Sequence, residues 1–146
     1  MASSRRRTAY SGMRAALSLT LLAALLACGG AGAQPRDPGG TPLRVLRGRA
    51  SYYADSLAGN RTASGEVYDP RAFTAASRDL AFGTVVRVVR LDREGQALAS
   101  VVVRVNDRGP FRDHRRILDL SRAAAESLDM IRAGVVPIRA EILSEP

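Results

Sequence analysis

Val85-Val86-Arg87-Val88-Val89-Arg90-Leu91, then Asp92-Arg93-Glu94-Gly95-Gln96, then Val101-Val102-Val103-Arg104-Val105 decide how this chain folds. Both valine-rich runs have the β-branched content of buried strands. Gly83 and Asp92 bound the first run, and Gly95 supplies the residue a tight hairpin turn asks for. Working outward, Ala50–Tyr53 reads as a short strand before this hairpin. Ile117–Leu120 and part of Val135–Leu143 read as strands after it. One helix stands out, with Ser121 as N-cap, strong helix formers over Ala123–Leu128, and Gly134 as its stop. Short strands separated by turn signals predict a mainly β fold, a small barrel with one or two short helices, over residues 46–143. Periodicity does not say which barrel.

The 146 residues leave room for one domain. The N-terminal stretch reads as a targeting segment. Arg5, Arg6, Arg7 and Arg14 precede any acidic residue, and Ala15–Ala27 is apolar apart from Ser18 and Thr20. That run is too short for a spanning helix, which needs ~20 apolar residues. A basic start, a short apolar run and small residues after it predict a signal peptide over residues 1–28. Met13 would open a more compact signal of the same type. Cys28 is the sole cysteine, so the fold has no internal disulfide. Leu25-Leu26-Ala27-Cys28-Gly29 resembles a bacterial lipobox, which predicts acylation of Cys28 and a membrane anchor. The alternative is an ordinary cleavage near Ala31-Gly32-Ala33. Residues 29–45, rich in Gly, Ala and Pro over Gly29–Pro42, read as a flexible tether.

The formal charge of +8 overstates the basicity of the exported part. Four of the 22 basic residues precede Cys28 and none of the 14 acidic ones does, which leaves +4 from Cys28 onward. All 22 are arginine. A modest positive charge suits an anionic polymer. Export, sparse aromatics and the lack of a dense arginine run argue against nucleic acid.

Two polar clusters interrupt the apolar pattern: Thr62-Ala63-Ser64-Gly65-Glu66-Val67-Tyr68-Asp69 and Val105-Asn106-Asp107-Arg108-Gly109-Pro110-Phe111. Asp107 ends a strongly apolar strand, which places its carboxyl at the barrel rim, where proton transfer to a ligand is feasible. The competing reading is a turn aspartate that caps its own backbone.

These blocks, with Gly48-Arg49-Ala50-Ser51-Tyr52-Tyr53, Phe73-Thr74-Ala75-Ala76, Phe82-Gly83-Thr84 and Ile117-Leu118-Asp119-Leu120-Ser121, resemble the rare lipoprotein A family over residues 48–143. The resemblance implies a six-stranded double-psi β-barrel in an outer-membrane lipoprotein facing the periplasm. It implies lytic transglycosylase chemistry on peptidoglycan glycan strands, preferably free of stem peptides, with no metal or cofactor. Asp107 matches the family's essential aspartate, and Glu66 and Asp69 match acidic residues of the same groove. Arg108 either holds sugar substituents or orients Asp107, or is a structural partner. Tyr52 stands where many relatives have tryptophan, to stack on a sugar or to fill the barrel mouth.

One departure matters. Many relatives read Thr-Ala-Ala-His where this chain reads Thr74-Ala75-Ala76-Ser77. The only histidine, His114, lies in the arginine-rich stretch Arg112–Arg116 and reads as a solvated loop residue. Ser77 can hydrogen-bond a carboxylate or a hydroxyl but has no useful basicity. The sequence therefore carries two functional expectations: a glycan-cleaving enzyme using Asp107, and a non-catalytic, expansin-like glycan-binding module.

Overall fold

The structure, a computed structural model, describes residues 32–146. The signal-peptide and Cys28 expectations lie outside these residues. Six strands form: β1 (Arg44–Tyr52), β2 (Thr74–Ala76), β3 (Val85–Leu91), β4 (Ala97–Asp107), β5 (Arg116–Leu120) and β6 (Val136–Ser144). They close into a barrel in the order β1-β5-β2-β4-β3-β6. The β1/β5 and β2/β4 pairs are parallel, and the other neighbours run antiparallel.

The valine hairpin is the spine of this barrel. Val86 pairs with Val103 and Val88 with Val101, and Asp92 accepts from the backbone N–H of Gln96 and Gly95 across the turn. Gly95 sits at φ +82°, the left-handed region where any side chain is strained. Alternation puts Val86, Val88, Val101, Val103 and Val105 inside, where they meet Leu118, Leu120, Ile138 and Ile142. Each such side chain contributes roughly 1.5–3 kcal/mol by leaving water. Arg87 of β3 lies on the outer face, whereas Arg90, on the face of Val86 and Val88, donates to the Leu128 carbonyl; both stay partly exposed.

Three elements differ from the sequence expectation. β2 is only three residues long, too short to show a period, and it is held by neighbours on both sides. β1 begins earlier, at Arg44, because Arg44 to Ala50 pair along β6. The helix α1 (Arg122–Ser127) is shorter; the Ser121 hydroxyl caps it by accepting from the Ala124 N–H, and Gly134 at φ +72° instead ends the turn that follows.

Residues 32–39 carry no helix or strand, yet they touch the barrel. Gln34 Oε1 accepts from the Val102 N–H at 3.3 Å, and the Asp37 carboxylate pairs with the Arg87 guanidinium at 2.6 Å.

Candidate active site

Along β4, Arg104 and Asn106 share the Glu66 carboxylate and so lie on one face, which leaves Asp107 on the face of Val103 and Val105, at the end of the strand. The β2/β4 register slips at this point: Ala75 faces Val105 but Ala76 faces Asp107. Asp107 Oδ1 accepts from the backbone N–H of Ala63 (2.7 Å) and of its neighbour Arg108 (2.8 Å). Oδ2 accepts from the Tyr53 hydroxyl at 2.7 Å. Tyr53 is positioned by its own N–H, which donates to the Leu120 carbonyl and continues the β1/β5 pairing past the strand end.

Asp107 and Tyr53 line a cavity of about 180 Å³ together with Asn60, Arg61, Thr62 and Tyr68. The Tyr53 and Tyr68 rings meet at 4.7 Å and 57°. Burial, then the hydrogen bond to Asp107, pushes the Tyr53 phenol well above its ordinary value. Tyr53 therefore stays protonated and acts as a fixed donor to the carboxyl.

The loop carrying Ala63 is braced from below. Thr62 and Gly65 close it through backbone bonds, and Arg61 bridges to Val67. Glu66 accepts both Arg104 Nη atoms, at 2.7 and 2.8 Å, and the Asn106 amide at 2.9 Å. The Arg104 guanidinium, helped by Asn106, holds the Glu66 carboxyl down at about 2. At neutral pH it is a fixed anion, so it cannot donate a proton. Its work is to tie the Ala63 loop to β4 beside Asp107.

A family model described as lytic transglycolase matches residues 45–140. The chain belongs to the rare lipoprotein A family of double-psi β-barrels. It is 52% identical over 94 residues to the probable endolytic peptidoglycan transglycosylase RlpA of Treponema pallidum, covering 64% of this chain and 28% of that protein. It is 52% identical over 100 residues to the probable RlpA of a Nostoc species (67% and 26%), and 44% identical over 96 residues to the endolytic peptidoglycan transglycosylase RlpA of Campylobacter jejuni (66% and 33%). The chain thus spans a third or less of the length of these relatives. Among solved structures, a papain inhibitor from Streptomyces matches with TM-score 0.53 at 24% identity, over 70% of this chain and 97% of that one. An apo expansin of Clavibacter michiganensis matches with TM-score 0.51 at 25% identity, over 70% and 52%.

Within this rare lipoprotein A barrel the other expected residues divide. Ser77 lies directly beside Asp107, since its N–H donates to the Asp107 carbonyl at 3.1 Å. Its hydroxyl faces its own turn, accepting from the N–H groups of Asp79 and Leu80, and the residue is 2% exposed. The Arg108 guanidinium packs 3.7 Å over the Phe82 ring and donates to the carbonyls of Leu80 and Ser77. That is a brace for the loop after β2, and only the Arg108 backbone N–H touches the Asp107 carboxyl. Asp69 is used locally: it accepts from the Arg71 backbone and side chain, which hold its carboxyl below the ordinary range. Tyr52 turns the other way from Tyr53. Its ring packs on the core cluster and its hydroxyl donates to the Ile131 carbonyl.

Sequence reading missed Tyr53, Asn106, Arg104 and Asp119. Asp119 on β5 faces Ala76 across from Asp107, so the two carboxyl-bearing positions flank one residue of β2. Its Oδ1 accepts from the Ser51 hydroxyl and from Arg116. The signal for Tyr53 was present in the adjacent pair Tyr52-Tyr53, whose members must face opposite ways in a strand. Which one faces the site needs the pairing with β5. Among the described residues, no group of His, Cys, Asp and Glu gathers as metal ligands.

Proposed function

We propose that this domain is a lytic transglycosylase that cuts the glycan strands of peptidoglycan, with Asp107 as its acid–base group. One observation carries the reading. The Asp107 carboxyl stands at a cavity with one oxygen gripped by two backbone N–H groups and the other by the half-buried Tyr53 phenol. A carboxyl oriented this tightly suits proton transfer to and from a bound ligand. The relatives named as endolytic peptidoglycan transglycosylases supply the substrate class.

In its acid form Asp107 gives a proton to the oxygen that links N-acetylmuramic acid to N-acetylglucosamine. The C1–O bond breaks and the glucosamine leaves with that proton. The muramic C6 hydroxyl closes on C1, and its proton returns to the Asp107 carboxylate. The products are a 1,6-anhydro end and a free hydroxyl, with no water consumed and the carboxyl regenerated. One carboxyl serves both halves, unlike the two-carboxylate scheme of ordinary glycoside hydrolases. Tyr53 holds that carboxyl and keeps its own proton. Stem-peptide-free strands are the preferred substrate in this reading.

The test is digestion of amidase-treated peptidoglycan, with mass spectrometry for anhydro ends. Asp107→Asn should keep the fold. An amide oxygen at the Oδ1 position still accepts from Ala63 and Arg108, and the Tyr53 oxygen can accept from the amide nitrogen. Turnover should fall by roughly 10²–10⁴-fold, the contribution typical of general acid–base catalysis. Undiminished cleavage by Asp107→Asn would refute the assignment.

A second reading, a non-catalytic expansin-like binding module, draws on Ser77, whose hydroxyl is consumed in its own turn where many relatives place a histidine. Retained glycan binding with no anhydro product from the wild type would decide for it. For the whole protein, the proposal is a cell-envelope lipoprotein: residues 1–28 a signal, Cys28 acylated in the outer membrane facing the periplasm, a spacer from residue 29 up to the start of β1 at Arg44, and the barrel from there to Ser144 as the working part.

A further inference from the structure

Beyond the Asp107 cavity, the loop that follows β4 has a second feature. Among the large apolar side chains exposed on the described residues, Phe111 is the only aromatic, at 66% exposure. A single exposed apolar residue is ordinary by itself. What surrounds this one is not. Its ring edge lies 3.7–3.8 Å from the point a Cβ on Gly109 would occupy, and Asp119 Oδ2 lies 3.9 Å from that same point. Gly109 sits at φ +131°, so a side chain there would be strained and would stand between ring and carboxyl. Asp119 Oδ1 is engaged by Ser51 and Arg116, whereas Oδ2 has no hydrogen bond among the described residues. An aromatic surface and an open acceptor therefore meet over a bare stretch of backbone, two residues past Asp107.

The platform is also held in place. Arg78 donates to the carbonyls of Pro110, Arg116 and His114, which pins the loop on both sides of Phe111. A fixed aromatic loses little freedom when a ligand settles on it. Pyranose rings present an apolar C–H face and a rim of hydroxyls, the two chemistries this corner offers.

We infer that Phe111 is the stacking platform of a second sugar subsite, which takes the apolar face of a pyranose ring next to the one at Asp107, with Asp119 Oδ2 accepting from a ring hydroxyl. The inference rests on the glycan-cleaving reading and deepens it. Phe111 binds and places the strand; it takes no part in proton transfer.

The experiment compares wild type, Phe111→Ala and Phe111→Trp on amidase-treated glycan, with Leu98→Ala as a control for an exposed apolar residue elsewhere on β4. Phe111→Ala should raise KM about tenfold, equivalent to about 1.4 kcal/mol, with kcat within about twofold and an unchanged melting temperature. Phe111→Trp should keep the wild-type KM, and the fluorescence of its tryptophan, the sole one in that variant, should shift saturably as chito-oligosaccharides are added. Leu98→Ala should behave as wild type. A wild-type KM in Phe111→Ala, or tryptophan emission that oligosaccharide leaves unmoved, overturns the platform while cleavage by the wild type leaves the enzyme reading standing. A wild type that neither binds nor cleaves glycan overturns both.

Discussion

Removing one oxygen atom at Tyr53 isolates what positioning contributes to this site. Tyr53→Phe keeps the ring and its 4.7 Å contact with Tyr68, and deletes only the donor to Asp107 Oδ2. The remaining donors, Ala63 and Arg108, both bond Oδ1, so nothing then fixes rotation of the carboxyl about its own axis. A hydrogen bond to a carboxyl group is worth roughly 1–3 kcal/mol. Water entering from the cavity replaces part of it, so the stability loss should be about 1 kcal/mol, a few degrees in melting temperature. The effect on chemistry should be larger, because a misplacement on the scale of 1 Å can lower a rate about 10²-fold. We expect kcat to fall roughly 10–100-fold with KM nearly constant, read as anhydro ends released per unit time from stripped glycan. A merely structural tyrosine would show the melting shift without the kcat loss. Full kcat in Tyr53→Phe would refute the view that the phenol orients the acid.

Two further outcomes follow from the charges and from the leader. Glu66 titrates at about 2 in the fold against an ordinary 4.5, so the stability from its Arg104 bridge is fully present above pH 4.5 and fades as pH falls toward 2. The carboxyl is 43% exposed, and after solvent screening its contribution is about 1 kcal/mol. Melting scans between pH 5 and 2 should show a shallower decline for Glu66→Gln than for wild type; equal slopes would argue against the bridge. If Cys28 carries lipid, Cys28→Ala should move the protein from the membrane fraction to the soluble periplasm, and unchanged fractionation would sink the anchor.

The parts of the fold that were legible in the sequence were those with a repeating physical demand. Val85–Leu91 and Val101–Val105 announce buried strands because they are short runs dense in β-branched residues and joined by a glycine-bearing turn. Ser121 announces a helix start because a hydroxyl there satisfies an orphan N–H. β2 was invisible to pattern, since three residues carry no period and its stability comes from neighbours on β4 and β5. The site was legible by resemblance at Asp107 and less so elsewhere. Glu66 turned out to be a fixed brace, and Arg108 to support a loop, because their partners, Arg104 and the carbonyls of Leu80 and Ser77, come from segments that only the barrel brings together.

The register slip between β2 and β4 bears directly on whether the missing histidine matters. At position 77 the backbone does the positioning: its N–H donates to the Asp107 carbonyl, and its own carbonyl accepts from Arg108. Neither bond depends on the side chain. The Ser77 hydroxyl caps the turn to Asp79 and Leu80 and goes no further. Exchange of histidine for serine therefore leaves the register slip, the Ala63 contact and the Tyr53 contact in place, and with them the orientation of the Asp107 carboxyl. What the exchange removes is a titratable group near that carboxyl. In the proposed reading any cost falls on the proton route, in kcat, because the bonds that place the Asp107 carboxyl at the cavity do not involve the side chain at position 77.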